Sequence, residues 1–485
     1  MVGKIRGAGV TSWQRCAALA SSALVTACLV TACLSIGTAA ADGLTPHQQL
    51  AHDIYKELIE IDTTTATGDT ARAAEAVAAR LKAGGFAEAD VHAFSPAPRK
   101  GNLVARLHGS GARKPILLVA HLDVVPAKRE DWSVDPFKLI EQDGYFYARG
   151  SSDDKYMAAS FIANLIRYKQ EGYRPDRDII VALETDEEIL DADGLGIQWL
   201  LKNHRDLIDA EFALNEGGGV GLKDGKPVRV SVQTSEKLSA NFKLDVTNSG
   251  GHSSVPRKDN AIYRLAEGLL RLSKFEFPVH LNETTRAYFE RIAQSETEQT
   301  AADIRSALSD KPDMAALARL STHPFYSAQL RTTCVATLLQ GGHAVNALPQ
   351  LAEAQVNCRI MPGETVDEVK ATLQQVLADD QIKLTPTDHG APSEPSKLSE
   401  DIVGAIEKLS REFWPGAVVL PVMSSGATDG SYLRNAGIPT YGHSGLANDI
   451  NDFRAHGKDE RILIKSFYEG DEYLYRLVKA LAGGA

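Results

Sequence analysis

Five short segments of this 485-residue chain end in side chains that bind metal: His121-Leu122-Asp123, Ser152-Asp153-Asp154-Lys155, Thr185-Asp186-Glu187-Glu188, Asn215-Glu216-Gly217 and Ala455-His456-Gly457. Imidazoles and carboxylates suit divalent ions such as zinc, and a carboxylate with two oxygens can bridge two cations. Adjacent carboxylates such as Glu187 and Glu188 repel unless cations or solvent absorb the field. Beside a metal the pair can divide the work, one as ligand and the other as general base toward water. His121 and Asp123 are two apart at a strand end and point the same way, so one can ligate while the other orients it. Glu216 precedes Gly217-Gly218-Gly219, where the backbone can approach a ligand closely. Each segment alone also has an ordinary reading: a surface histidine, a helix cap at Asp153 or Asp154, a solvated acidic loop, a turn, a cap at His456. The chemistry lies in their combination.

Three of the segments follow directly on short apolar runs, at 116–120, 179–183 and 212–214. Runs of that length read as buried parallel strands, and ligands in an open α/β sheet gather at the carboxyl ends of such strands. Helices alternate with them. Thr45-Pro46 opens one as N-cap and first position, a second covers 71–83 and stops at Gly84-Gly85, a third runs from Asp153 to about Gln170, and a fourth lies near 194–204. The expected architecture is α/β, a mostly parallel sheet between helices. The pattern changes after about 235. Residues 239–246 alternate like a half-exposed strand, 260–273 form an amphipathic helix, 331–339 and 351–360 form a hairpin, and 365–378 form a helix. These make a small α+β domain inserted into the larger one. The stretch 280–322 is polar, Ala-rich and helical, and reads as inserted. Pro/Ser-rich 391–396 reads as a linker. The boundaries are 42–236 and 389–485 for the large domain and 237–388 for the small one.

Residues 1–41 carry Lys4, Arg6 and Arg15, an apolar stretch over 16–37, no acid, and Ala39-Ala40-Ala41 before Asp42. This is the pattern of a secretory signal peptide. An uncleaved membrane anchor is one alternative, and lipidation at Cys28 or Cys33 is another. The expected location is therefore periplasmic or secreted, with membrane association only if the segment stays or carries lipid. Without it the chain has 49 basic and 63 acidic residues, a net of −14. That charge disfavours nucleic acid and anionic membranes as partners. No other apolar run is long enough to span a bilayer. Of five cysteines, only Cys334 and Cys358 lie beyond the signal. The hairpin sets them roughly opposite each other and export permits a disulfide, so bridged and free forms both stay open. Neither has zinc-site spacing.

In order and spacing, the metal-binding segments resemble one family of di-zinc hydrolases, that of aminoacylase, acetylornithine deacetylase, succinyl-diaminopimelate desuccinylase and glutamate carboxypeptidase. The resemblance runs from about 45 to 482 and takes in further segments. Gly250-Gly251-His252-Ser253-Ser254 is similar to the family's small-domain histidine. Gly341-Gly342 through Asn346-Ala347-Leu348-Pro349, with Asn357-Cys358-Arg359-Ile360, is similar to its substrate-carboxylate segment. Ser425-Gly426-Ala427-Thr428-Asp429-Gly430 is similar to its glycine-rich loop.

The resemblance implies a zinc-peptidase-like catalytic domain with an inserted lid and dimerisation domain, and two zinc ions, for which cobalt or manganese can substitute. His121 and Glu216 would bind one ion, Glu188 and His456 the other, with Asp153 bridging and Asp123 orienting His121. Glu187 would be the general base toward water. His252 would reach a partner subunit's site and stabilise the oxyanion. Arg359 and Asn346 would hold a free substrate carboxylate, for which a guanidinium fork is suited. The implied protein is an exported, carboxypeptidase-like homodimer cutting a peptide or N-acyl amide bond beside a free carboxylate. Aminoacylase or dipeptidase activity is the alternative within the family, and a non-catalytic, lipid-anchored peptide-binding protein is the alternative of another class. Two departures stand out. Tyr156 replaces the family's usual Gly and would either narrow the pocket or pack on a neighbouring helix. The 280–322 stretch resembles the larger vacuolar carboxypeptidase and secreted N-acyl-amino-acid hydrolase branch, and would enlarge the lid.

Overall fold

A computed structural model describes residues 43–189 and 194–484. The expected signal peptide, with Cys28 and Cys33, lies outside the described residues.

The apolar runs form the centre of a ten-stranded mixed sheet. Strand Ile116–His121 lies between Ile179–Glu184 and Phe212–Asn215, parallel to both, and Thr440–Gly442 extends the parallel group beyond Phe212–Asn215. Strands Val91–Ala97 and Lys100–Leu107 close one edge antiparallel. Alternation divides the central strands between two cores. Ile116, Leu118 and Ala120 pack toward the helices Pro46–Glu60, Lys155–Glu171 and Ile464–Ala482, while Leu117 and Val119 join Ile197, Leu200 and Leu433 on the other face. Both faces are covered, so these strands read as continuous apolar runs rather than alternating ones.

Local signals set the helix ends. Thr45 and Gln48 form a reciprocal capping box at the first helix. Gly172, with φ 68°, ends helix Lys155–Glu171 in the left-handed conformation.

A second, antiparallel sheet has the order Thr333–Gly341, Leu351–Ile360, Leu238–Thr247, Lys383–His389. Leu351–Ile360 alternates buried and half-exposed residues. Its buried face meets helices Ala261–Leu272 and Val366–Leu377 in a separate core around Phe242, Val356 and Leu373. Cys334 and Cys358 stand opposite each other in the register and are bonded, with Cα atoms 4.1 Å apart.

Two expectations change in the structure. The inserted stretch 280–322 becomes three helices, Glu283–Ile292, Glu298–Ala307 and Met314–Ser321, and a fourth, Pro324–Leu330, follows it. Their apolar faces, through Tyr288, Phe289 and Leu330, pack on Leu420 of strand Val418–Ser424. That strand runs parallel to Lys226–Glu236 of the large sheet, so the insertion backs the large sheet. The expected linker is tied down as well. Ser396 is buried and its hydroxyl donates to the Thr440 carbonyl while accepting the Thr440 N–H, both at 2.8 Å. No described helix is long and apolar enough to cross a membrane.

Candidate metal centre

The parallel strands deliver the acids and histidines to one sheet end. His121 closes strand Ile116–His121 and is buried. Its Nδ1 donates to the Asp123 backbone carbonyl at 2.9 Å, which leaves Nε2 facing Asp153 Oδ1 at 3.0 Å. The Asp123 carboxylate is 3.7 Å from the His121 ring. Its shorter contacts are the backbone N–H groups of Glu187 and Glu188, at 3.2 and 3.1 Å. Asp123 thus orients His121 through its carbonyl and fixes the acidic loop through its carboxylate.

That loop begins at Asp186, whose φ of 67° turns the chain back over the sheet and whose carboxylate pairs with Lys100. Left-handed backbone is costly outside glycine and concentrates at functional sites. His456 shares it, with φ 63°. Its Nε2 lies 3.1 Å from Asp153 Oδ2 and 2.9 Å from Glu188 Oε2. Asp153 therefore offers one oxygen to each histidine, the arrangement of a bridging carboxylate. Donor atoms of His121, Glu187 and Glu216 lie within 4.8 Å of one another, as do those of His121, Asp153 and Glu188.

The cluster holds more negative charge than its two histidines offset. Burial first, then the neighbouring Glu216 charge, pushes Glu187 well above the ordinary carboxylate range. Burial and Asp153 push Glu216 up to about 8. Hydrogen bonds from its ring to the Asp153 and Glu188 carboxylates raise His456 to about 10. Burial alone would lower His121, but the Asp153 hydrogen bond and charge outweigh it and raise it well above its usual value. Among the described residues, nothing hydrogen-bonds the buried Glu188 Oε1 or Asp154 Oδ2. Oxygen and imidazole donors at this spacing, with orphaned carboxylate oxygens, fit divalent cations, which invert the local preference for protonation.

Glu460 escaped the sequence reading. It is buried, and its carboxylate accepts from Arg149 at 2.6 Å, the Gly150 N–H at 3.0 Å, the Ser152 N–H and hydroxyl at 2.8 and 2.9 Å, and the Asp153 N–H at 3.2 Å. One carboxylate thus organises the loop carrying Asp153. Its neighbours Lys458, Asp459 and Arg461 make it look like surface in the sequence. The acid in fourth place after His456, inside a polar run, was the available signal. Asp429 and Glu184 form a second missed layer. Both are buried, and burial raises the two carboxyls, Asp429 to about 7. Tyr156 packs edge-on against Phe467, with ring centroids 5.7 Å apart, and its hydroxyl meets the Ser444 carbonyl at 3.4 Å. It is a helix-packing residue.

The small-domain residues stand apart. His252 is exposed, its Nδ1 2.7 Å from the Ser254 hydroxyl. Exposed Asn346 lies beside it, accepting the Ser253 N–H through its carbonyl at 3.1 Å. Half-buried Arg359 donates to Asn357 at 3.2 Å. Among the described residues, none of the three hydrogen-bonds to the cluster.

Two cavities flank the cluster and share no lining residue. The smaller, about 90 Å³, is walled by Glu187 and Tyr432 together with Lys237, Ser239 and His389 near the small sheet. The larger, about 310 Å³, is walled by Asp153, Glu216, Val220, Leu446, Ile450 and Phe453, among others.

A model of peptidase family M20/M25/M40 matches residues 117–480. An N-fatty-acyl-amino acid synthase/hydrolase of Homo sapiens is 29% identical over 379 residues, covering 76% of this chain and 74% of that protein. A probable carboxypeptidase S-like protein of Dictyostelium discoideum is 29% identical over 378 residues, covering 76% and 71%. The crystal structure of an M20 family metallo-carboxypeptidase from Sulfolobus solfataricus superposes with a TM-score of 0.63 at 17% identity, covering 89% of this chain and 99% of that one.

Proposed function

The chain belongs to peptidase family M20/M25/M40 and is a metal-dependent hydrolase, and on that premise we propose that it cuts a peptide or N-acyl amide bond beside a free carboxylate. The observation that carries this reading is the contact of Asp153 with both histidines beside a loop that presents Glu187 and Glu188. His121 and Glu216 would hold one zinc ion, Glu188 and His456 the second, and Asp153 both. Cobalt and manganese suit the same donors. Bound there, the ions would polarise the scissile carbonyl and acidify water.

The chain's own residues supply the rest. Glu187 removes a proton from water and hands it to the leaving amine, a role suited to a carboxylate whose proton affinity burial has raised. Asp123 holds the Glu187 and Glu188 amides and so fixes the direction of that carboxylate. Arg359 and Asn346 bind the substrate carboxylate, and His252 steadies the charge developing on the carbonyl oxygen.

His252 acts from a second subunit, with residues 237–388 serving as lid and dimerisation domain. The exposed edge strand Thr333–Gly341 supports this. Val335, Leu338 and Leu339 on it are 60%, 62% and 65% exposed, and an apolar unpaired edge is a pairing surface. The disulfide and the N-terminal segment support export to the periplasm or medium, with a lipid anchor as the variant in which that segment stays attached.

Metal-loaded and chelator-treated protein should be compared on N-acyl amino acids, dipeptides and longer peptides. Turnover confined to substrates with a free carboxylate and abolished by chelation is expected. A loaded protein that turns over none of them would refute the reading.

A further inference from the structure

Asp123 holds the Glu187 loop from one side only. That loop leaves strand Ile179–Glu184 at Thr185 and turns over the sheet at Asp186, whose φ is 67°. Ile179–Glu184 lies between two neighbours in the sheet, Ile116–His121 and Lys100–Leu107. Asp123, just past the end of the first, accepts the Glu187 and Glu188 N–H groups. The residues that precede Glu187 are gripped from the second.

Strand Lys100–Leu107 runs antiparallel to Ile179–Glu184, so its first residues lie where the loop departs. The backbone register between the two ends at Leu103 with Leu183. Beyond that pair a side chain continues the ladder. Asn102 is fully buried, its Oδ1 accepts the Thr185 N–H at 3.0 Å, and its Nδ2 donates to the Leu195 carbonyl at 2.8 Å. Asparagine is disfavoured in strands and seldom fully buried. An apolar side chain would serve the strand better if nothing beyond it had to be held. Two positions earlier, half-buried Lys100 pairs with the buried Asp186 carboxylate. Thr70 joins the two sides. Its hydroxyl lies 2.7 Å from that of Thr185 and accepts the Gly101 N–H at 3.0 Å. Only glycine permits so close an approach, since a Cβ at Gly101 would come within 2.3 Å of Ala71 Cα.

Among the described residues that wall the two cavities beside the cluster, none is Thr70, Lys100 or Asn102. These side chains therefore act on the chemistry through the loop alone. We propose that Asn102 and Lys100 are positioning residues for the proton transfer: they hold Thr185 and Asp186, and through them aim the Glu187 carboxylate. The proposal rests on the hydrolase reading above. A loop gripped only at its Asp123 side is free to swing about that grip, and a misplacement of about 1 Å at a reacting group costs about a hundredfold in rate.

The test uses Asn102→Asp and Lys100→Met, each alone and combined with Glu187→Gln. Asn102→Asp keeps an acceptor for Thr185 and removes the donor to Leu195, and Lys100→Met leaves Asp186 without its ion-pair partner. The substrate is whichever N-acyl amino acid or peptide of the function test the wild type cleaves fastest, and zinc content is measured beside kcat and KM. Asn102→Asp should lower kcat by about a hundredfold and Lys100→Met by about tenfold, with KM within about twofold of the wild type and zinc content unchanged. In the Glu187→Gln background neither should lower the residual rate by more than about twofold, because residues that act as a unit are not additive. An equal loss in both backgrounds would mark general disruption and overturn the proposal. Wild-type kcat in both single variants would overturn it too, and loss of zinc would move the effect to Glu188 and do the same. Should Asn102→Asp fail to fold, the Lys100→Met cycle decides alone. A metal-loaded wild type that cleaves nothing in the panel would defeat the hydrolase reading and this one with it, whereas additive variants of an active wild type defeat the positioning alone.

Discussion

At the carboxyl ends of the large sheet, Asp153 lies 3.0 Å from buried His121 and 3.1 Å from exposed His456, which also meets Glu188 at 2.9 Å. On the small domain, His252 and Asn346 face solvent, and Arg359 turns to a neighbouring asparagine. The contrast follows from the role that the proposed function gives each group. Metal ligands carry charge whose mutual repulsion the fold has to hold in place before any ion arrives, so they sit on strand ends and have dedicated supports in Asp123 and Glu460. Groups that clamp a substrate must first let it in. They sit on a domain joined to the large sheet at Lys237 and near Gly390, with a core of its own.

The contrast can be broken most forcefully at Glu187. Glu187→Gln should lower kcat by about a thousandfold, within the usual range for general acid–base catalysis, with metal content unchanged. Loss of an ion in that variant would instead make Glu187 a ligand, the alternative that its nearness to His121 and Glu216 allows. Next comes His252. His252→Ala should lower kcat by about a hundredfold, as for removal of one oxyanion donor. Mixing it with Glu187→Gln under conditions of subunit exchange should regenerate activity, because one site of the mixed dimer is intact. Persistent inactivity of the mixture would place His252 in its own subunit's site.

The support layer gives a smaller effect. Glu460→Ala strips the Asp153 loop of its acceptor and leaves buried Arg149 without its partner. Metal affinity, read by competition with a chelator, should fall by about 10–100-fold, and folding stability by about 3–5 kcal/mol. Unchanged metal affinity would reduce Glu460 to a purely structural role. Smallest in catalytic effect is the small-domain staple. Replacing Cys334 and Cys358 by Ser should cost about 3 kcal/mol of stability for a loop of this length, measured by denaturant unfolding, with kcat nearly preserved. A large loss of kcat would tie the small sheet's rigidity to the chemistry.

The central strands and the ends that carry His121, Glu187 and Glu216 were readable because burial on both faces writes itself as an unbroken apolar run. The half-exposed strand Leu238–Thr247 was readable because one buried face writes itself as alternation. Glu460 was hidden because its burial depends on Arg149, 311 positions away, and the residues around it are charged. Strands Lys226–Glu236 and Val418–Ser424 were hidden for a similar reason. Their paired residues stand 188 or 189 positions apart, and no local period announces a partner so distant. The docking of the inserted helices on Leu420 was equally out of reach, because amphipathic helices show an apolar face but not what covers it.

The central claim is that the large sheet alone presents a two-ion site bridged by Asp153. Zinc titration of the purified, metal-stripped chain, followed by elemental analysis, tests it directly. The wild type should take up two zinc ions per chain and Asp153→Asn should lose tight binding of at least one, while His252→Ala and Arg359→Ala still take up two. A wild type saturating at one ion with full activity, or Asp153→Asn binding two ions as tightly as the wild type, would contradict it.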